Sequence, residues 1–492
     1  MSRPVSSSSQ NPPSQSASLR RLTLSWVGIM FLLFPILLLL GLVLRGGQSG
    51  LLSTLPPELF YATLTLHGLG MVGLWFVAAM AALSWLLARY VQVSPGASKV
   101  ALALTLLGVV LLIACTLVGR FGVGWYFLHP LPLHSANVWP PWATGAFFAA
   151  IGALGVGWLV WALDLLRAIA RRYPLRQALG WQYFRGHPDS ELPPIILIST
   201  VSLIAVLAAL VSGVIVLVLF VTEWLKQGFA NDALLMKNLT FLFGHLLVNI
   251  TLYLGVAMLY ELMPGYCGRP WKTKGYVAVA WNAVLLLVIV AYFHHLYMDF
   301  VQIRTFQMIG QVASYLTSVP AAVASIFGLL ALVYGAQVRW TIGSALLFLG
   351  VLGWAIGGIG AVIDSTVAAN VRFHNTLWVP AHFHTYYLMG VVLMIMGAVY
   401  HICQEASPLP ERSGLTRLTA ALLCLGGYGF VLMFYHGGAH SVPRRYATYP
   451  AEVAHGAGLA KVASVFIVIF LVGLVLYVWE TGRRWRRGFS ST

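Results

Sequence analysis

The chain has 492 residues, of which 59% are hydrophobic and only 9% charged, with a mean hydropathy of +0.84. A water-soluble domain carries about 25% charged residues, so a soluble globular protein is excluded. The formal net charge of +16 sits in short loops between apolar runs, which speaks for membrane orientation and against nucleic-acid binding.

Residues 1–19, "MSRPVSSSSQNPPSQSASL", are rich in Ser, Pro and Gln and predict a disordered cytoplasmic N-terminus. Arg20 and Arg21 then precede a full-length apolar run with no small-residue cleavage site, the pattern of an uncleaved first span. Twelve runs are long enough to cross a bilayer, which takes about 20 residues each. They fall at 22–45, 59–90, 99–120, 143–168, 193–226, 234–263, 275–300, 307–336, 340–364, 374–404, 415–437 and 455–482. They are continuous and not alternating, so they predict helices and no barrel. The expectation is one all-α polytopic transmembrane domain over 20–485, followed by a basic cytoplasmic tail at 486–492. With both termini in the cytoplasm, 20 of the 29 Lys and Arg fall on the inner side and 9 on the outer, as the positive-inside rule requires. Cys115, Cys267, Cys403 and Cys424 form no CxxC or CxxCH pattern, which argues against a disulfide framework and against covalent c-type haem.

Histidines inside the spans are the informative residues, because ionisable groups at membrane depth are functional by default. They are His67 in "LTLHGLGMVG", His245 in "GHLLVN", His294 and His295 in "YFHHLYMDF", His382 and His384 in "VPAHFH", and His401. Taken alone, His401 reads as a buried histidine bonded to a neighbouring helix. His382 and His384 point about 200° apart on a helix and suit two centres on opposite sides of span ten. His294 and His295, about 100° apart, can reach one ion, and with His245 they would make a three-imidazole metal site with open positions.

In their order, "TLTLHG" (63–68), "GH" with Val248 in span six, "FHH" (293–295), "HNTLWVPAHFH" (374–384) and "VPRRY" (442–446) resemble subunit I of the haem-copper oxidase superfamily, in its B-type (ba3-like) branch. The resemblance implies a catalytic bundle with two haems. His67 and His384 would be the axial ligands of a low-spin b-type haem. His382 would be the proximal ligand of a high-spin haem. His245, His294 and His295 would hold one copper or non-haem iron. Arg444 and Arg445 match the pair that holds haem propionates, with His374, Asn375 and Asp364 near that layer; Asp364 reads equally well as a solvated helix-end acid.

The resemblance breaks at Asn249, which stands where the oxidases carry the tyrosine of His-Pro-x-Val-Tyr. That tyrosine supplies an electron and a proton when the O–O bond is cleaved; an amide can only accept or donate hydrogen bonds or ligate weakly. Leu246 replaces the usual proline. Ala321 and Ala324 fall where B-type span eight presents hydroxyls to a proton path, although Tyr260 matches a residue of that path. The common nitric oxide reductases carry a glutamate near this site, and Glu261 lies too near the inner end to serve. These departures imply a B-type scaffold altered toward nitric oxide reduction, with Asn249, His245, His294, His295 and His382 at the reaction centre. The alternatives are an O2 reductase that uses another tyrosine, such as Tyr253 or Tyr297, and more distantly a non-redox transporter or haem-handling protein.

The expected surroundings are lipid, gaseous NO or O2, the bacterial or archaeal cytoplasmic membrane, and an outer-face donor subunit of cupredoxin or cytochrome c type. Segments 128–142 and 436–450 are its candidate docking surfaces. Their His129, His134, His436 and His440 read as solvated loop residues before metal ligands.

Overall fold

A computed structural model describes residues 17–52, 55–184, 191–226, 228–298 and 302–491. Twelve helices among them are long and apolar enough to cross a membrane. They are α1 (Ala17–Gln48), α2 (Pro57–Leu87), α3 (Pro95–Val118), α4 (Pro141–Arg172), α5 (Pro194–Leu225), α6 (Ala233–Cys267), α7 (Gly275–Leu296), α8 (Arg304–Val333), α9 (Ile342–Ser365), α10 (Trp378–Ala406), α11 (Ser413–Ala439) and α12 (His455–Ser490). Each contains or overlaps one predicted span. Most of the predicted disordered segment, residues 1–16, lies outside the described residues. Its last three residues open α1, and the basic tail continues α12 to Ser490.

Helix starts follow the local chemistry. Pro57, Pro95, Pro141 and Pro194 occupy first helical positions, where a missing N–H costs nothing. Asp232 caps α6 through Oδ1, which accepts from the Leu235 N–H at 2.7 Å. A Thr341/Ser344 capping box opens α9.

Neighbouring helices pack in chain order for most of the bundle, and α1 closes against both α2 and α12. Helix α10 is the hub, touching α2, α6, α9, α11 and α12. Its most apolar stretch is 83% buried, against 33% for α3. Outward faces carry exposed Leu32, Val110, Leu286 and Phe327, which is what lipid requires.

Several charged groups near the helix ends are paired. Arg484 is fully buried on α12 and bonds Glu480 and Gln404. Arg89 bridges Glu261 at 2.9 Å and Glu405 at 3.0 Å. Glu261 is thus committed to that bridge and to the Tyr90 hydroxyl, away from the histidine centre.

Candidate metal and haem centre

His245, His294 and His295 converge, with their ligating nitrogens all within 4.8 Å of one another. His245 Nδ1 faces His295 Nε2 at 3.2 Å. Two nitrogens held about 2.0–2.1 Å from one metal at a near-tetrahedral angle stand about 3.3 Å apart, so the spacing fits a shared ion. The donor set suits copper, iron or zinc. Local helix geometry helps. Tyr292–Leu296 is a 3₁₀ turn, so the adjacent histidines diverge by about 120° and not the 100° expected for an α-helix. Ser314 on α8 fixes one ring. Its hydroxyl donates to the Gly310 carbonyl at 2.6 Å and therefore accepts from His294 Nδ1–H at 3.0 Å. His294 Nε2 is left as the bare ligand atom. Phe241 stacks on the His295 ring, with centroids 5.3 Å apart.

The other three histidines line the same cavity of about 770 Å³. His67 Nδ1 donates to the Leu37 carbonyl at 2.8 Å and His384 Nδ1 to the Pro380 carbonyl at 2.7 Å. A carbonyl only accepts, so both rings carry the proton on Nδ1 and offer Nε2, the arrangement typical of ligating histidines. His382 leaves α10 on the side of α9. There, small residues let the two backbones meet. A Cβ at Gly353 would lie 2.0 Å from the Met389 carbonyl oxygen, and one at Gly360 2.9 Å from His382 Nδ1. A π turn at Tyr387–Val392 follows His382 and His384, a local irregularity common at functional sites.

Arg444 and Arg445 are brought over this cavity by backbone pairing. Leu377 N–H donates to the Val442 carbonyl at 2.8 Å and Arg444 N–H to the Asn375 carbonyl at 2.9 Å, around a Thr376–Pro443 bridge. Asn375 and Arg445 adopt φ of 63° and 71° to make this turn. The Arg444 guanidinium donates to Asn375 Oδ1 at 2.9 Å, and Arg445 lies over the Tyr126 ring at 3.8 Å. Burial, with Arg445 adjacent, lowers the Arg444 guanidinium to about 9. Among the described residues neither guanidinium has a carboxylate within ion-pair distance, and the cluster fits an anionic propionate. His374 and Asp364 line the cavity here; Asp364 is buried, so it is not a solvated helix-end acid.

Asn249 is tied on both sides. Its Nδ2 donates to the His245 carbonyl at 2.8 Å, and its Oδ1 accepts from the Tyr386 hydroxyl at 3.0 Å. The amide oxygen is therefore engaged, and one N–H remains. Tyr253 lines the cavity, while Tyr297 does not. Ala321 and Ala324 are buried. On α8 the hydroxyls of Ser314 and Ser325, the latter 3.3 Å from Tyr260 Oη, lie eleven residues apart, with Ala321 between them. His401 accepts or donates at 2.8 Å with Tyr266 Oη, the neighbour-helix bond expected of it. His129 is not solvated, because its Nε2 sits 2.9 Å from Glu223.

Three residues escaped the sequence reading. Tyr386 lies one helical turn beyond His382, a spacing visible in "HFHTY". Ser314 carried no local signal. Arg45 lines the cavity and lies over Phe434 at 4.6 Å; an arginine closing an apolar span was its only mark.

The model of the family "Cytochrome C and Quinol oxidase polypeptide I" matches residues 21–475. The chain is 28% identical to cytochrome c oxidase subunit 1 of Thermus thermophilus over 53% of its own length and 50% of the relative's. It is also 28% identical to the heme-copper oxidase subunit I+III of Aeropyrum pernix, over 87% of this chain and 52% of that one. These matches span about half the length of each relative. A solved heme-copper terminal oxidase dimer shares the fold, with a TM-score of 0.79 at 19% identity over 96% of this chain and 84% of that one. With the family model matched from α1 into α12 and six inward histidines on the helices the resemblance requires, the chain belongs to the cytochrome c and quinol oxidase polypeptide I family of haem-copper oxidase subunits.

Proposed function

We propose that the chain is the catalytic subunit of a B-type respiratory reductase that converts nitric oxide to nitrous oxide: 2 NO + 2 e⁻ + 2 H⁺ → N2O + H2O. Asn249 carries this reading. It places an amide where four-electron O2 cleavage would need a redox-active phenol on α6, and its oxygen is already committed to Tyr386. His67 and His384 hold a low-spin haem, His382 a high-spin haem, and His245, His294 and His295 a copper or non-haem iron. When bound, these groups supply the two electrons and Lewis-acid activation. The free Asn249 N–H donates a hydrogen bond toward the space between His382 and the three-histidine site. Arg444 and Arg445 hold propionates. Electrons enter from a cupredoxin or cytochrome c subunit docked on 128–142 and 436–450, on the outer face of a bacterial or archaeal cytoplasmic membrane. The Lys/Arg bias supports that orientation.

The test is simultaneous measurement of N2O formation and O2 consumption by the purified protein with a reduced artificial donor. N2O production faster than O2 uptake is expected; O2 uptake with no N2O overturns the proposal.

A second reading, O2 reduction, is favoured by the Tyr386 phenol one hydrogen bond from Asn249 and by relatives named cytochrome c oxidase. Tyr386→Phe separates the two. Loss of O2 turnover by about 100-fold or more, as for a group acting in the transition state, supports the second reading.

A further inference from the structure

A second group of histidines lies away from the cavity, where α11 ends and α12 begins. His436 and His440 are one helical turn apart in "HGGAH", and His455 opens α12. All three are exposed. The His436 and His440 rings have centroids 4.5 Å apart, inclined by 37°. The His455 ring lies 6.3 Å from that of His440.

We propose that His436, His440 and His455 form a surface site for a nitrogen-preferring divalent transition-metal cation, of which Zn²⁺ is the type. His-x₃-His on one helix face is the spacing at which two imidazoles chelate one ion. His440 Nδ1 lies 2.9 Å from the His436 carbonyl oxygen. That carbonyl can only accept, so Nδ1 carries the hydrogen and Nε2 presents its lone pair outward, the orientation that backbone carbonyls impose on ligating histidines. The carbonyl end of α11 adds a partial negative charge that favours a cation. His455 is the third ligand, reached by a rotamer change of an exposed side chain, and water completes the tetrahedron. Imidazole donors without carboxylates select Zn²⁺, Cu²⁺ or Ni²⁺ over Mg²⁺ and Ca²⁺.

The experiment titrates Zn²⁺ into the purified, cofactor-loaded protein by equilibrium dialysis, counting metal above the resident content. One additional Zn²⁺ per chain is expected, with none for Mg²⁺. The His436→Gln and His440→Gln variants should each bind it at least about tenfold more weakly, and His455→Gln several-fold more weakly, as loss of one ligand predicts. Haem content of every variant should match the parent, because none of these three side chains lines the cavity. With Cu²⁺ as probe, nitrogen hyperfine structure from two or three imidazoles should appear in the parent and vanish in His436→Gln. No additional Zn²⁺ at about 100 µM, or equal affinity in parent and His436→Gln, overturns the proposal.

Discussion

Tyr386 on α10 donates its phenolic hydrogen to Asn249 Oδ1 on α6 at 3.0 Å, while Asn249 Nδ2 donates to the His245 carbonyl at 2.8 Å. The residue one turn after His382 thereby orients the residue one turn after His245. Removing the phenol costs one buried hydrogen bond, about 1 kcal/mol. If Tyr386 only positions the amide, Tyr386→Phe lowers NO turnover about fivefold with haem and metal content unchanged. Asn249→Asp sets a carboxylate against the His245 carbonyl and should lower NO turnover by more than tenfold, because it removes a donor and adds repulsion. N2O evolution with paired haem spectra checks both.

The three-histidine site should lose its metal selectively. His295→Ala removes one of three ligands, and metal analysis should fall by one ion per chain while the two-haem optical spectrum persists. His384→Ala should do the reverse, abolishing the low-spin spectrum and sparing the three-histidine metal.

Ser314 lines the cavity and supports the His294 ring. Ser314→Ala removes the acceptor that fixes the ring and should weaken metal affinity about 10- to 100-fold, the usual cost of losing such a partner. Ser314→Thr keeps the hydroxyl and should restore much of it. Chelator competition measures the difference.

The meeting of α9 with α10 allows no side chain at Gly353. Gly353→Ala would place a Cβ 2.0 Å from the Met389 carbonyl oxygen, and overpacking of this kind costs about 1–3 kcal/mol. Thermal stability and haem retention should both fall. Gly458→Ala, whose Cβ would meet nothing within 4 Å, is the control and should leave both unchanged.

The twelve spans were legible because hydrocarbon demands continuous apolar helices, and the six cavity-lining histidines because ionisable groups there need a reason. Motif order then paired His67 with His384 although 317 positions separate them. What stayed hidden depends on approach between distant segments. Ser314 is one serine among several on α8, and only the fold sets it under His294. Tyr386 sits in a visible run of aromatics, yet its bond to Asn249 spans 137 positions. The 3₁₀ turn at Tyr292–Leu296 is decided by packing that periodicity does not record. The burial of His129 depends on Glu223, which α5 delivers from 94 positions away.

The short pairing of residues 375–377 with 442–444 also sets an electrical distance. It makes the surface bearing Arg444 continuous with the first turn of α10, so the stretch from Leu377 to His384 is a helical rod about 10 Å long. On the proposed assignment of His384 to the low-spin haem, an electron entering at that surface would have one rigid, covalently continuous segment between it and that ring. The length of that segment is fixed by chain geometry and does not vary with loop motion.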